Sequence, residues 1–272
     1  MSLLGVVALV AVVVLVVRSQ ASTAQESAGS SSSAQGTGSE ASQVRLPTAS
    51  ELEGAEIYAS KRAGRVSFAV VDTSGNLFCF RCRLSFHSAS VVKAMLLVAY
   101  LNHLARSGEP LPADHEAYLA SMIRVSDNDA ATAIYAHVGD AGLTELAAEA
   151  QMTGFRVSGT WGSARITAAD QARFFAALDE LTAPEYHDYV RALLSSISSE
   201  QSWGIPEAAR PEWQTFFKGG WLTHGDGSLV HQVARLEQRE RTIALAVLTD
   251  GSPSDEYGRE TIQGIGVRLL DH

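Results

Sequence analysis

Ser90-Val91-Val92-Lys93-Ala94-Met95-Leu96-Leu97-Val98-Ala99-Tyr100-Leu101 opens a helical stretch that is apolar on every face and runs to about Arg106. A helix of that kind is buried on all sides, so the rest of its domain must wrap around it. Its polar residues stand in the first turn, where unpaired amide donors and the positive end of the helix dipole meet. Ser90 and Lys93 are three residues apart and share a face. A neutral Lys93 amine can therefore reach the Ser90 hydroxyl and accept its proton. Lysine is scarce here: of twenty-one basic residues, only Lys61, Lys93 and Lys218 are lysines. A lysine amine can lose its proton at working pH and a guanidinium cannot, so lysines in this chain are expected to serve chemistry. Lys218 heads Lys218-Gly219-Gly220-Trp221, and Ser126-Asp127-Asn128 lies between the two lysine motifs.

Upstream of the buried helix, Ser50-Glu51-Leu52-Glu53 predicts a capping box and a helix to about Arg62. Residues 66–72 read as a strand, 72–76 as a turn and 77–86 as the returning strand of a hairpin. Downstream, Pro110-Leu111-Pro112 marks a loop, and helical patterns follow at 114–123, 127–137, 143–151, 167–181 and 184–195. Residues 213–222, 229–237 and 241–250 read as strands, with His224-Gly225-Asp226-Gly227 a tight turn, and 254–270 as a closing helix. Strands at both ends and helices between them predict an α+β fold. It is one five-stranded antiparallel sheet, flanked by N- and C-terminal helices, with an inserted all-helical subdomain.

Residues 1–18, with an unbroken apolar run at 3–17, fit a signal peptide or a short membrane anchor. Residues 19–43 are rich in Ser, Ala and Gly and have no aromatics, so they read as a disordered tether. That leaves 44–272 as one domain and places the protein outside the cytoplasm, secreted or held at the membrane by its N-terminal segment. The domain carries twenty basic and twenty-eight acidic residues, a net charge of −8 with no basic cluster. That balance argues against nucleic-acid binding. Cys79 and Cys82 fall in the expected returning strand, where alternation sends their sulfurs to opposite faces with Cα atoms ~10 Å apart. They are not expected to form a disulfide. A redox or zinc reading lacks a second ligand pair. The eight histidines show no metal-ligand spacing; His224 and His231 are expected at the surface, and Trp203-Gly204-Ile205-Pro206 as a packed loop.

Each motif alone has a structural explanation. Ser126-Asp127-Asn128 can cap the following helix, and Lys218-Gly219-Gly220 can end an inner strand. The functional alternative makes Ser126 a proton relay to a leaving group and Asn128 an amide that orients substrate and lysine. It also lets a ligand approach the bare backbone at Gly219 and Gly220. The Ser90 and Trp221 amides would then hold an oxyanion.

Taken in order, Ser-x-x-Lys at Ser90 and Lys93, Ser-Asp-Asn at 126–128 and Lys-Gly-Gly at 218–220 resemble the signature of the penicillin-interacting serine enzymes, the β-lactamases and penicillin-binding proteins. The surroundings look most like the class A β-lactamases: Asp72-Thr73-Ser74-Gly75, Val125 to Ala131, and Gly139-Asp140-Ala141-Gly142-Leu143-Thr144. The resemblance covers essentially all of 44–272. It implies Ser90 as nucleophile, Lys93 as base with its proton affinity lowered by the Lys218 charge, and Ser126 and Lys218 as further catalytic groups. Asn128, Gly219, Gly220 and Trp221 would bind substrate. The implied substrate is a small β-lactam or D-alanyl peptide, and no cofactor or metal is implied. Two departures stand out. Val157-Ser158-Gly159-Thr160-Trp161-Gly162-Ser163 occupies the stretch where class A enzymes carry a water-activating glutamate, in a segment that looks shortened. Gly219 replaces the hydroxyl residue that helps hold the substrate carboxylate, and bulky Trp221 follows. These departures leave two alternatives: a cell-wall DD-peptidase, transpeptidase or slowly deacylating penicillin-binding protein, and a non-catalytic envelope binding module.

Overall fold

Thr48 caps the first described helix. Its hydroxyl accepts from the Glu51 N–H (3.3 Å) while the Glu51 carboxylate accepts from the Thr48 N–H (2.6 Å). This is a capping box of the expected type, set two residues earlier than Ser50. The structure, a computed structural model, describes residues 47–270 apart from Thr73, Ser158, Asp226 and Glu240. The expected signal or anchor and the tether lie outside the described residues. No described helix is long and apolar enough to cross a membrane.

The chain runs from α1 (Ala49–Ser60) into β1 (Arg65–Val71), β2 (Leu77–Phe80) and the short β3 (Phe86–His87). A 3₁₀ turn, Ala89–Val92, leads directly into α2 (Lys93–Ser107). Then come α3 (Ala113–Arg124), α4 (Asn128–Glu149), β4 (Arg165–Ile166), α5 (Ala168–Ala176), α6 (Leu178–Leu181), α7 (His187–Ser195) and α8 (Ile205–Ala208). β5 (Gln214–His224), β6 (Gly227–Gln238), β7 (Arg241–Ser252) and α9 (Asp255–Leu270) complete the order. The two helices expected over 127–151 are present as the two halves of α4, which meet at a kink at Gly139, whose φ of 62° and ψ of −175° leave the helical region.

The sheet is antiparallel and ordered β2-β1-β7-β6-β5, so the first and last parts of the chain meet at the β1–β7 pair. α1 and α9 pack together, with α9 also against β6 and β7, while α5 packs on β1, β6 and β7. α2 is the expected buried helix: Lys93 through Asn102, and Leu104, are all inaccessible or nearly so. Arg191 and Arg235 bind Asp179 (2.8 Å each), and both also pair with Glu237, which ties α6 and α7 to β6.

Three expectations are corrected. The returning strand stops at Phe80, because Arg81 adopts a φ of +48° and a turn closes from the Leu84 N–H to the Arg81 carbonyl (3.0 Å). That turn brings the Cα atoms of Cys79 and Cys82 to 5.5 Å, and the two are disulfide-bonded. The argument against the bond assumed an extended strand that is not there. Second, Lys218-Gly219-Gly220 lies inside β5, and β5 is an edge strand rather than an inner one. Third, His231 is fully buried. Its Nδ1 accepts from the Thr249 N–H (3.1 Å), and Nε2 is bonded to the His87 carbonyl (2.9 Å). Burial lowers its proton affinity to about 4, so it sits in the core as a neutral ring. His224 is exposed, as expected.

Candidate active site

Three separate elements converge where the Ala89–Val92 turn meets the edge of β5. Ala89 holds a φ of +44°, unusual for a residue with a side chain, and this bend presents Ser90 just ahead of α2. The turn is anchored by the Ser88 N–H, which donates to the Ala164 carbonyl (2.7 Å). Gly220 of β5 abuts it. A Cβ at that position would stand 2.8 Å from the Ser90 nitrogen and 2.9 Å from the Val91 nitrogen, so only glycine lets strand and turn approach this closely.

Ser126 joins the two lysines. Its φ of +63° turns both its carbonyl and its hydroxyl toward them. Lys93 Nζ donates to the Ser126 carbonyl (2.5 Å) and Asn128 Oδ1 (2.7 Å), and lies 3.4 Å from Ser126 Oγ. Lys218 Nζ donates to Ser126 Oγ (3.1 Å) and to the Gly219 carbonyl (3.1 Å). Asp127 caps α4 by accepting from the Ala130 N–H (2.9 Å), which fixes the backbone that carries Ser126 and Asn128. The expected Lys93–Ser90 bond is not made. The Lys93 amine is turned to the stronger carbonyl acceptors, and the Ser90 hydroxyl has no hydrogen-bond partner among the described residues.

Both amines are fully buried. Burial lowers Lys93 from its ordinary value to about 8, against an opposing pull from Asp127. Burial, and then the charge of Lys93, lowers Lys218 to about 7. The expectation that Lys218 is the chief cause of a lowered Lys93 is thus corrected: desolvation dominates, and the like-charge effect acts on Lys218.

Trp221 was expected at the site; the Trp161 and Trp203 rings are the part of it that sequence reasoning missed. Three of the chain's four tryptophans border the cluster. The Trp161 ring centroid lies 4.8 Å from Lys93 Nζ. The ring is fixed by its Nε1–H donating to Thr132 Oγ1 (3.2 Å), and its carbonyl accepts from Ser88 Oγ (3.3 Å). The Gly159 N–H donates to Asp140 Oδ2 (2.9 Å), holding the same loop against α4. Trp203 packs on Gly219, and Trp221, 37 % exposed, meets it edge-on with centroids 6.2 Å apart. The available signal was rarity: the chain has only four tryptophans, and Trp161 and Trp203 fall in stretches between the strong helix and strand patterns. Among the described residues, no group of three or more His, Cys, Asp or Glu side chains is arranged to hold a metal ion.

The profile of the β-lactamase enzyme family designated Beta-lactamase2 matches residues 113–272, more than half of the sequence. The chain belongs to the β-lactamase enzyme family. The matched region of this β-lactamase-family chain includes Ser126 to Asn128 and Lys218 to Trp221, and begins after Ser90 and Lys93. Its fold is that of solved class A β-lactamases. A β-lactamase from Sphaerobacter thermophilus is 20 % identical, with a TM-score of 0.71 over 80 % of this chain and 95 % of its own. An ancestral class A β-lactamase is 20 % identical, with a TM-score of 0.69 over 80 % of this chain and 98 % of its own. A β-lactamase from Xanthomonas campestris is 16 % identical, with a TM-score of 0.70 over 81 % and 96 %. No curated protein sequence matches significantly.

Proposed function

We propose that this β-lactamase-family chain is a serine acyl-transfer hydrolase that opens a β-lactam or a related D-alanyl amide through an acyl-enzyme on Ser90. The observation that carries the reading is the meeting of Lys93, Lys218 and Ser126 Oγ within 3.4 Å, one turn from Ser90 and beside an open strand edge. Ser90 Oγ attacks the carbonyl carbon. Lys93, neutral in a useful fraction near neutral pH because burial lowers its proton affinity to about 8, takes the Ser90 proton after swinging from Asn128. Ser126 Oγ, hydrogen-bonded to Lys218, passes a proton to the leaving nitrogen as the C–N bond breaks. The Ser90 and Trp221 amides serve the oxyanion, and Asn128 with the Gly219–Gly220 edge of β5 orients the substrate.

Water must then attack the ester. The stretch around Trp161 supplies no carboxylate to activate it, and the Trp161 ring lies over Lys93 instead. Losing a general base lowers a rate by about 10²–10⁴. Deacylation is therefore expected to be slow, and the missing carboxylate favours a penicillin-binding or transpeptidase role as the second reading. Export fits either substrate, and the Cys79–Cys82 bond supports it, since such bonds persist in oxidising compartments. Turnover of a chromogenic cephalosporin by the wild type and by Ser90→Ala tests the assignment. The variant is expected to lose hydrolysis; full hydrolysis by Ser90→Ala contradicts the reading.

A further inference from the structure

The Cys79–Cys82 disulfide takes no part in the chemistry proposed at Ser90, and it ties no two elements together. Both cysteines belong to the end of β2 and the turn that follows, three apart in sequence. That turn is closed without them. The Leu84 N–H donates to the Arg81 carbonyl (3.0 Å), and Ser67 Oγ on β1 donates to the same carbonyl (3.1 Å). The Ala169 N–H of α5 donates to the Cys82 carbonyl (3.0 Å), and Cys79 pairs with Ala69 in the sheet. A disulfide constrains the unfolded chain more as the loop it closes grows longer, and this loop is short. The bond can therefore open while the hydrogen bonds keep the fold. Its surroundings suit reaction. Cys79 is half-buried, whereas Cys82 is buried. β2 is the outer strand of the sheet, so no further strand covers Cys79 on that side. Arg81 stands between the cysteines and Arg83 follows. Both are exposed, and neither has a carboxylate partner among the described residues. Positive charge beside a partly exposed Cys-x-x-Cys pair favours the thiolate, the form that attacks and leaves in exchange. Zinc would need a second ligand pair; exchange needs only these two sulfurs.

We propose that Cys79 and Cys82 form a thiol–disulfide exchange couple, a second reactive site at the sheet edge opposite β5, whose substrates are external thiols. An external thiolate attacks Cys79 Sγ, the less buried of the two. The Cys79–Cys82 bond breaks, a mixed disulfide forms on Cys79, and Cys82 leaves as a thiolate that takes up a proton. A second external thiolate then attacks the external sulfur of the mixed disulfide. The two external sulfurs pair, and Cys79 is released and protonated. Two electrons pass from the external thiols to the cysteines, and the reverse sequence oxidises a pair of thiols. In an oxidising compartment the couple rests as the disulfide seen here.

The test exposes the folded full chain to millimolar reduced glutathione, a reductant that structural disulfides resist. Samples are quenched by alkylation and read by intact-mass spectrometry. Two alkyl groups per chain are expected, with the urea midpoint of the reduced protein little changed, and oxidised glutathione should restore the bond. In Cys82→Ser, oxidised glutathione should leave one glutathione on Cys79, the trapped form of the mixed disulfide, and dithiothreitol should remove it. A bond that stays closed to glutathione until urea unfolds the chain overturns the proposal. So does a chain that unfolds on reduction, or a Cys79 thiol in the folded variant that takes no glutathione.

Discussion

Ser126 is the residue at which the two buried amines meet, and its strained backbone is part of how they do so. A φ of +63° on a residue with a side chain costs of order 1–3 kcal/mol, and here it directs a carbonyl and a hydroxyl into one pocket. The titration of the amines follows from their burial and can be read out. Lys93 acts as a base only when neutral, and its proton leaves near pH 8. The acylation kcat/KM should therefore rise about tenfold per pH unit below that point and level off above it. A rate still climbing tenfold at pH values approaching 10.5, the ordinary lysine value, contradicts the assignment. Ser90, Lys93, Ser126 and Lys218 were legible in the sequence because each belongs to a short local motif with reactive groups at fixed spacing. Trp203 was not, because its contact with Gly219 joins residues sixteen apart through packing that no local period encodes. His231 was misplaced for a related reason. Only the partners of its two ring nitrogens, the His87 carbonyl and the Thr249 N–H, show why an imidazole is tolerated in the core.

The elements were legible to the extent that their hydrophobic periods are strong. The buried helix α2 and the strands β5, β6 and β7 fall where their patterns place them, with ends shifted by a few residues. The failure lay at β2, where the alternating residues from Phe78 to Leu84 continue past the point at which Arg81 turns the backbone. Side-chain alternation records a possible strand; the backbone angle at one residue decides whether it continues. The contact between β5 and the Ala89–Val92 turn makes an element-level prediction. Gly220→Ala would place a methyl 2.8 Å from the Ser90 nitrogen, a backbone atom that cannot move without moving Ser90, the proposed nucleophile. Acylation should fall by about 10²-fold, while stability falls by only about 1–3 kcal/mol. Unchanged acylation with a lowered urea midpoint would show that the contact merely packs. At the β6–β7 hairpin, Gln238 pairs with Arg241 and exposed Arg239 holds a φ of +55°. Glycine suits that angle without steric cost. Arg239→Gly should raise stability by about 0.5–1 kcal/mol, read as a higher urea midpoint at unchanged slope; an unchanged or lower midpoint contradicts it.

The whole molecule places its chemistry at a junction. Ser90 and Lys93 lie at the start of the buried helix, Ser126 and Asn128 at the start of α4, and Lys218 on the sheet edge, so no one part of the chain holds the site. The antiparallel sheet with an inserted helical block was legible because strand patterns sit at both ends of the domain sequence and helical ones between them. The strand order β2-β1-β7-β6-β5 depends on long-range pairing that the pattern does not state. The central claim is that this junction makes Ser90 a nucleophile whose ester is slow to leave. Intact-mass spectrometry of the wild type and Ser90→Ala after incubation with a penicillin tests it directly. The account expects one added drug mass on the wild type, located at Ser90 and decaying slowly, and none on the variant. A wild-type protein that gains no mass and leaves the drug intact, or an equal adduct on Ser90→Ala, contradicts it.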